Sequence, residues 1–94
     1  MKRIIWYLIA GSRGGANRAR IIKKLNERPY NVNQLSEELN LDYKTVEYHI
    51  KVLKDHKVIV KSSGKKYGAL FFLSDNMEEK YPLFLEIVKK LEKK

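Results

Sequence analysis

The stretch NVNQLSEELNLDYKTVEYHIKVLKDH, residues 31–56, decides how the rest of this 94-residue chain is read. Asn31 or Asn33 supplies a helix N-cap, and Glu37 and Glu38 follow in the early turns, where negative charge is favoured. Val32, Leu35 and Leu39 form one apolar stripe. A break at Asn40, Leu41 and Asp42 follows. Asn40 tolerates the left-handed conformation that helix ends often need, and Asp42 is a strong cap for a second helix. In that helix Val46, Ile50 and Leu53 fix the buried face, which leaves Tyr43, Lys44, Thr45, Glu47, Tyr48 and Lys51 pointing outward. Two short amphipathic helices joined by so tight a turn predict a helix-turn-helix over about residues 32–56.

After residue 56 the period changes. KVIVKS and YGALFFL are rich in β-branched and aromatic residues and flank a glycine-containing turn, so they predict a hairpin over about 57–73 with a small, basic tip. Upstream, the spacing predicts a compact apolar helix over about Lys2 to Gly11, a turn at Gly14 and Gly15, and a helix from near Ala16 that stops before Pro29. Downstream, one helix is expected over about 76–93, carrying Met77, Tyr81, Leu83, Phe84, Leu85, Ile87, Val88 and Leu91. That is more apolar surface than one narrow stripe needs. The first helix, with Ile4, Ile5, Leu8 and Ile9, has the same surplus. The two are expected to pack together and onto their equivalents in a symmetric dimer, with Ile4, Ile5, Leu8, Tyr81, Phe84, Leu85, Val88 and Leu91 at the interface. A monomer in which both helices simply cover the core is the alternative. The expected fold is α+β, mainly α: a single winged helix-turn-helix domain over 1–94 with N- and C-terminal dimerisation helices.

Composition narrows the function. There are no cysteines, so disulfides, thiolate metal sites and cysteine nucleophiles are excluded, and with two histidines so is an all-histidine metal centre. No cofactor or metal is expected. His49 and His56 stand seven residues apart, too far for paired ligands on adjacent helical turns. His49 reads as a residue of the apolar seam or a partner for a phosphate or carbonyl, and His56 as a helix-end residue. IIWYLIA is too short to span a bilayer and is followed by a basic segment, so no membrane role and a cytoplasmic location are expected. The formal charge is +9, which favours a polyanionic partner. Its distribution is uneven: residues 1–30 carry a net +7, residues 31–56 a net −2, residues 57–73 a net +4 and residues 74–94 none. Basic segments flank a slightly acidic centre.

NQLSEELNLDYKTVEYHIKVLKDHKVIVKSSGKKYGALFFL resembles the winged helix-turn-helix of the arsenical-resistance repressor (ArsR-like) superfamily, especially its small archaeal members. The matching residues are Leu35, Ser36, Asn40, Asp42, Val46, His49, Ile50, Leu53, His56, Lys57 and Val58. IIWYLIAGSRGGANRARII is similar to the opening of such regulators. Asn40 and His56 stand where glycine is usual, and both residue types tolerate positive φ. The superfamily's metal-sensing Cys-x-Cys is absent. The resemblance implies a DNA-binding regulator that lacks that inducer chemistry.

On this reading the second helix of the motif lies in the major groove of duplex DNA. Tyr43 and Thr45 can meet a thymine methyl or a phosphate, Lys44 a guanine edge or a phosphate, and Tyr48 a base edge or sugar. Glu47 can accept from a cytosine amine or repel the backbone and so enforce register. The plain alternative for this face, Lys51 included, is solvation. Lys61, Ser63, Lys65 and Lys66 suit a wing on phosphate or in the minor groove. Asn33 and Gln34 open the first helix of the motif, where backbone N–H groups attract phosphate. Arg13, Arg18 and Arg20 can clamp the backbone or lie at the dimer interface. The partners expected are double-stranded DNA and a second copy, with no particular small-molecule effector indicated. The competing readings are a protein-interaction module and an architectural nucleic-acid binder without sequence preference. No nucleophile–base pair, metal cluster or phosphate loop stands at usable spacing, so an enzyme is not expected.

Overall fold

A computed structural model describes residues 1–62 and 68–92. In chain order the elements are α1 (Lys2–Ile9), α2 (Gly15–Glu27), α3 (Val32–Leu39), α4 (Tyr43–Asp55), β1 (Ile59–Lys61), β2 (Phe71–Leu73), α5 (Asp75–Glu79) and α6 (Tyr81–Glu92). This is the mainly helical winged arrangement that the pattern predicts. The strands pair antiparallel, Ile59 with Leu73, Val60 with Phe72 and Lys61 with Phe71. Ser63, Lys65 and Lys66, expected at the wing tip, lie outside the described residues.

Local chemistry sets the helix-turn-helix. Asn31 caps α3 in a reciprocal box: its Oδ1 accepts from the Gln34 N–H at 2.7 Å, and the Gln34 Oε1 accepts from the Asn31 N–H at 2.9 Å. Asp42 Oδ2 accepts the Lys44 and Thr45 N–H groups at 3.1 and 3.3 Å and starts α4. Both helices end in the same closing pattern. After α3, Asn40 takes φ 53° while the Leu41 N–H reaches back to the Ser36 carbonyl. After α4, the Val58 N–H reaches back to the Leu53 carbonyl, and the left-handed residue is Lys57, at φ 62°. His56, expected to take that conformation, sits at φ −92° and donates from Nδ1 to the Val52 carbonyl at 2.9 Å. The reversal falls one residue later because α4 runs through Asp55.

One core gathers these elements. Ile21, Leu35, Val46, Leu53, Val58, Met77 and Phe84 are fully buried within it. Two features depart from expectation. Tyr30 forms a bridge to Phe71, exchanging backbone hydrogen bonds of 3.2 and 2.8 Å, so a single residue between α2 and α3 extends the hairpin. The last helix is not continuous either: it breaks at Lys80 into α5 and α6. Pro82 has no N–H to bond back, and its ring would clash with the carbonyl four residues earlier in an unbroken helix.

α1 packs against α6, as the surplus of apolar residues predicts. The residues assigned to a dimer interface divide, however. Ile5, Leu8, Phe84 and Val88 are buried inside the single chain and fill its own core, so they are not available as an interface. Ile4 and Tyr81 are partly covered, and Leu85 and Leu91 remain exposed, as do Trp6 and Tyr7. Helical spacing identified the apolar positions but not which of two faces met the core.

Candidate nucleic-acid interface

α4 stands with its stripe of Val46, Ile50 and Leu53 in the core and the opposite face in water. On that outer face Tyr43 is 47% and Tyr48 60% exposed, and Lys44, Glu47 and Lys51 are also exposed, with Thr45 partly so. Large aromatic side chains left in water on a helix whose other face is fixed have surface to offer a partner. Lys51 Nζ lies 3.1 Å from Asp55 one turn on, an exposed pair that contributes little to stability.

Grooves flank this helix on two sides. On one, Asn33 and Tyr43 meet Lys61 of the wing in a shared depression with Asn31 and Gly68. On the other, Lys44, Thr45, Tyr48 and His49 share a shallow groove with Arg13 and Gly14. A third depression along the outer face adds Lys54, which spacing alone did not single out. The structure therefore brings together Asn33, Tyr43, Lys61, Lys44, Thr45, Tyr48 and Arg13. Gln34 spends its side-chain oxygen in the cap of α3.

Arg18 does something other than expected. It is 2% exposed, and its guanidinium is consumed inside the protein: Nε donates to the Leu8 carbonyl at 2.8 Å, Nη2 to the Ser12 hydroxyl and the Arg13 carbonyl at 2.6 Å each, and Nη1 to His49 Nδ1 at 3.2 Å. Among the described residues no carboxylate pairs with it. Its charge is instead met by the Leu8 carbonyl near the C-terminus of α1, the negative end of that helix dipole, and by the Arg13 carbonyl of the following loop. Arg18 thus ties α1, the following loop and α4 to α2, and it is not free to clamp a ligand. Arg20 stays exposed, but its guanidinium is engaged within the chain, donating to the Leu39 carbonyl at the end of α3 at 2.7 Å. Of the three arginines, Arg13 is the one that lines the groove.

His49 is 5% exposed. Burial, reinforced by the positive Arg18 beside it, holds its imidazole below the ordinary histidine range, so the ring is neutral at pH 7. Because Arg18 can only donate, Nδ1 must be the acceptor and the ring proton sits on Nε2.

A buried stripe on one side, two exposed tyrosines and a lysine on the other, and a hairpin alongside define the class by its fold: a winged helix-turn-helix protein. Within it, residues 16–59 match the family model of the bacterial regulatory protein, arsR family, a span running from the start of α2 to the first residue of β1.

Solved structures agree on the fold. The chain is similar to a MarR transcriptional regulator from Methanosarcina mazei Go1, at 20% identity and TM-score 0.72, covering 95% of this chain and 66% of that one. It is similar to a probable transcriptional regulator from Pseudomonas aeruginosa, at 18% identity and TM-score 0.72, covering 95% and 69%. A transcriptional regulator homologue from Pyrococcus horikoshii OT3 has 20% identity and TM-score 0.69, with 97% and 94% covered. The chain thus spans just under two thirds of the Methanosarcina mazei regulator. No curated protein matches the sequence. The matched family model and these similar structures are of regulatory proteins. No helix among the described residues is long and apolar enough to cross a membrane.

Proposed function

We propose that this chain binds double-stranded DNA sequence-specifically as a homodimer inside the cell and represses by occupying promoter DNA. The observation that carries the reading is the outer face of α4: Tyr43, Lys44, Thr45 and Tyr48 stand clear of the core on a helix rigidly capped by Asp42. Such a face enters a major groove, about 12 Å wide, while Lys61 and Asn33 on one side and Arg13 on the other reach toward the flanking phosphates. The slightly acidic motif supplies little attraction, so affinity comes from the basic flanks.

Exposed Trp6, Tyr7, Leu85 and Leu91 on α1 and α6 support a second copy as partner. Two-fold symmetry would then set two reading helices about one turn of DNA, roughly 34 Å, apart.

Selection from a random duplex pool over a salt series tests the proposal. Enrichment of an inverted repeat that persists at high salt is expected. Binding without enrichment would favour an architectural protein, and no binding at moderate salt a protein-interaction module, which the acidic centre of the chain favours. Lys44→Ala and Tyr48→Ala are each expected to weaken the selected site by about 1–3 kcal/mol and random DNA much less. Equal loss on both would remove base reading from this helix.

A further inference from the structure

The groove beside the start of α2 holds a side chain that a solvated helix face does not explain. His49 is almost wholly buried, yet only its Nδ1 has a hydrogen-bond partner, Arg18. Among the described residues no fully buried side-chain nitrogen lacks a partner, so Nε2 reaches the surface at the groove that His49 lines with Arg13, Gly14, Lys44 and Thr45.

The ring is held there closely. A methyl group on Gly14, whose φ of 82° already favours glycine, would lie 2.5 Å from Cε1 and 3.3 Å from Nε2 of His49. Gly14 is also the N-cap of the 13-residue α2, with no side chain capping it. Gly14 thus brings the turn before α2 against the imidazole edge, in the lining of the same groove.

We propose that this groove seats one phosphodiester of the DNA backbone, held by the Nε2–H of His49 at its floor, with Arg13 and Lys44 at its rim. The inference rests on the DNA-binding reading above. A phosphodiester matches the chemistry: a singly charged anion beside two cationic side chains, with a neutral, pre-oriented donor beneath it. Arg18 is then a positioning residue. By occupying Nδ1 it fixes the proton on the side that faces the ligand, and being buried it makes no contact itself. Placement next to Lys44, Thr45 and Tyr48 makes the backbone of the DNA being read, rather than a separate phosphate compound, the occupant.

Two variants separate the parts. In His49→Asn the side-chain oxygen replaces Nδ1 as acceptor for Arg18, but nothing replaces the outer donor. In His49→Gln the amide nitrogen reaches the position of Nε2. Binding to duplex DNA is measured across a salt series, with phosphate-ethylation interference and thermal unfolding. His49→Asn is expected to weaken selected and random DNA alike by about tenfold, since a hydrogen bond to a charged group is lost. The salt slope should be unchanged because no charge is removed, whereas Arg13→Ala should reduce it by about one unit. Interference from ethylating one phosphate per half-site should vanish in His49→Asn and persist in His49→Gln.

Failure of the unsubstituted protein to bind any duplex would sink the DNA-binding reading itself. Binding with an unchanged ethylation pattern in His49→Asn would overturn the phosphate seat alone. Equal loss in both variants with a lowered melting temperature would make His49 merely structural and overturn it too. Displacement of DNA from the unsubstituted protein, but not from His49→Asn, by millimolar inorganic phosphate would identify a free anion as occupant, contrary to the proposal.

Discussion

Arg18 and His49 form a pair of buried polar side chains on α2 and α4 without an acid between them. Since Arg18 stays charged, the uncharged state of His49 is the one compatible with the folded chain. The groups facing its ring are Arg18 from α2 and Tyr48, stacked edge-on at 5.3 Å, from α4, with Arg13 and Lys44 at the adjoining groove. None favours the imidazolium. With the folded value depressed below the ordinary histidine value by burial and by Arg18, the unfolded chain takes up the proton first as pH falls. Stability from this residue is full above the unfolded value and declines below it, by at most about 1.4 kcal/mol per pH unit, until the folded pKa is reached. Urea unfolding at pH 7.5, 6.5 and 5.5 should show that decline, and His49→Asn should flatten it. A decline equal in both proteins would assign it elsewhere.

At the scale of elements, backbone contact and caps matter more than side-chain volume. α1 and α2 cross so closely at Gly15 that a β-carbon there would lie 2.0 Å from the Ile9 carbonyl oxygen. Gly15→Ala must push the helices apart, and a loss of about 3 kcal/mol or more is expected in denaturant unfolding. Lys57 presents the opposite case. It holds a left-handed conformation at the end of α4 that glycine adopts without strain, so Lys57→Gly should raise stability by about 1 kcal/mol in the same measurement.

What could be read from sequence follows this division. Asn31, Asn40 and Asp42 act on neighbours within six residues, and their roles were visible in the chain itself. The Tyr30–Phe71 bridge joins residues 41 positions apart, and nothing near Tyr30 announces it. The break at Lys80 was within reach, since Pro82 lies inside the apolar run. Arg18 looks like a surface charge to any local reading, because the Leu8 carbonyl it serves comes from another helix; Arg20 is indeed exposed, and only its bond to the Leu39 carbonyl was hidden. The outward face of α4 was legible because Val46, Ile50 and Leu53 leave it no other direction; the half-exposed groove at Gly14 was not.

For the molecule as a whole, the outer faces of α1 and α6 are the remaining apolar surface. Leu85 and Leu91 stand on α6, away from the buried Phe84, Ile87 and Val88. Leu85→Glu should leave the fold within about 0.5 kcal/mol, as exposed substitutions usually do. It should also convert a dimer to a monomer in light scattering at micromolar concentration. A dimer mass retained by that variant would move the interface elsewhere, and a monomer mass for the unsubstituted chain would remove it.

The crossing at Gly15 bears on how such a dimer would measure its target. With backbone pressed on backbone there, and Arg18 pinning the end of α1 to α2 and α4, no hinge separates the outer helices from the reader. The two readers would be the points of a pair of calipers whose only adjustable joint is the contact between copies. Anything that reset that joint by a few ångströms would change which spacing of half-sites the pair could straddle, without altering a single side chain on α4.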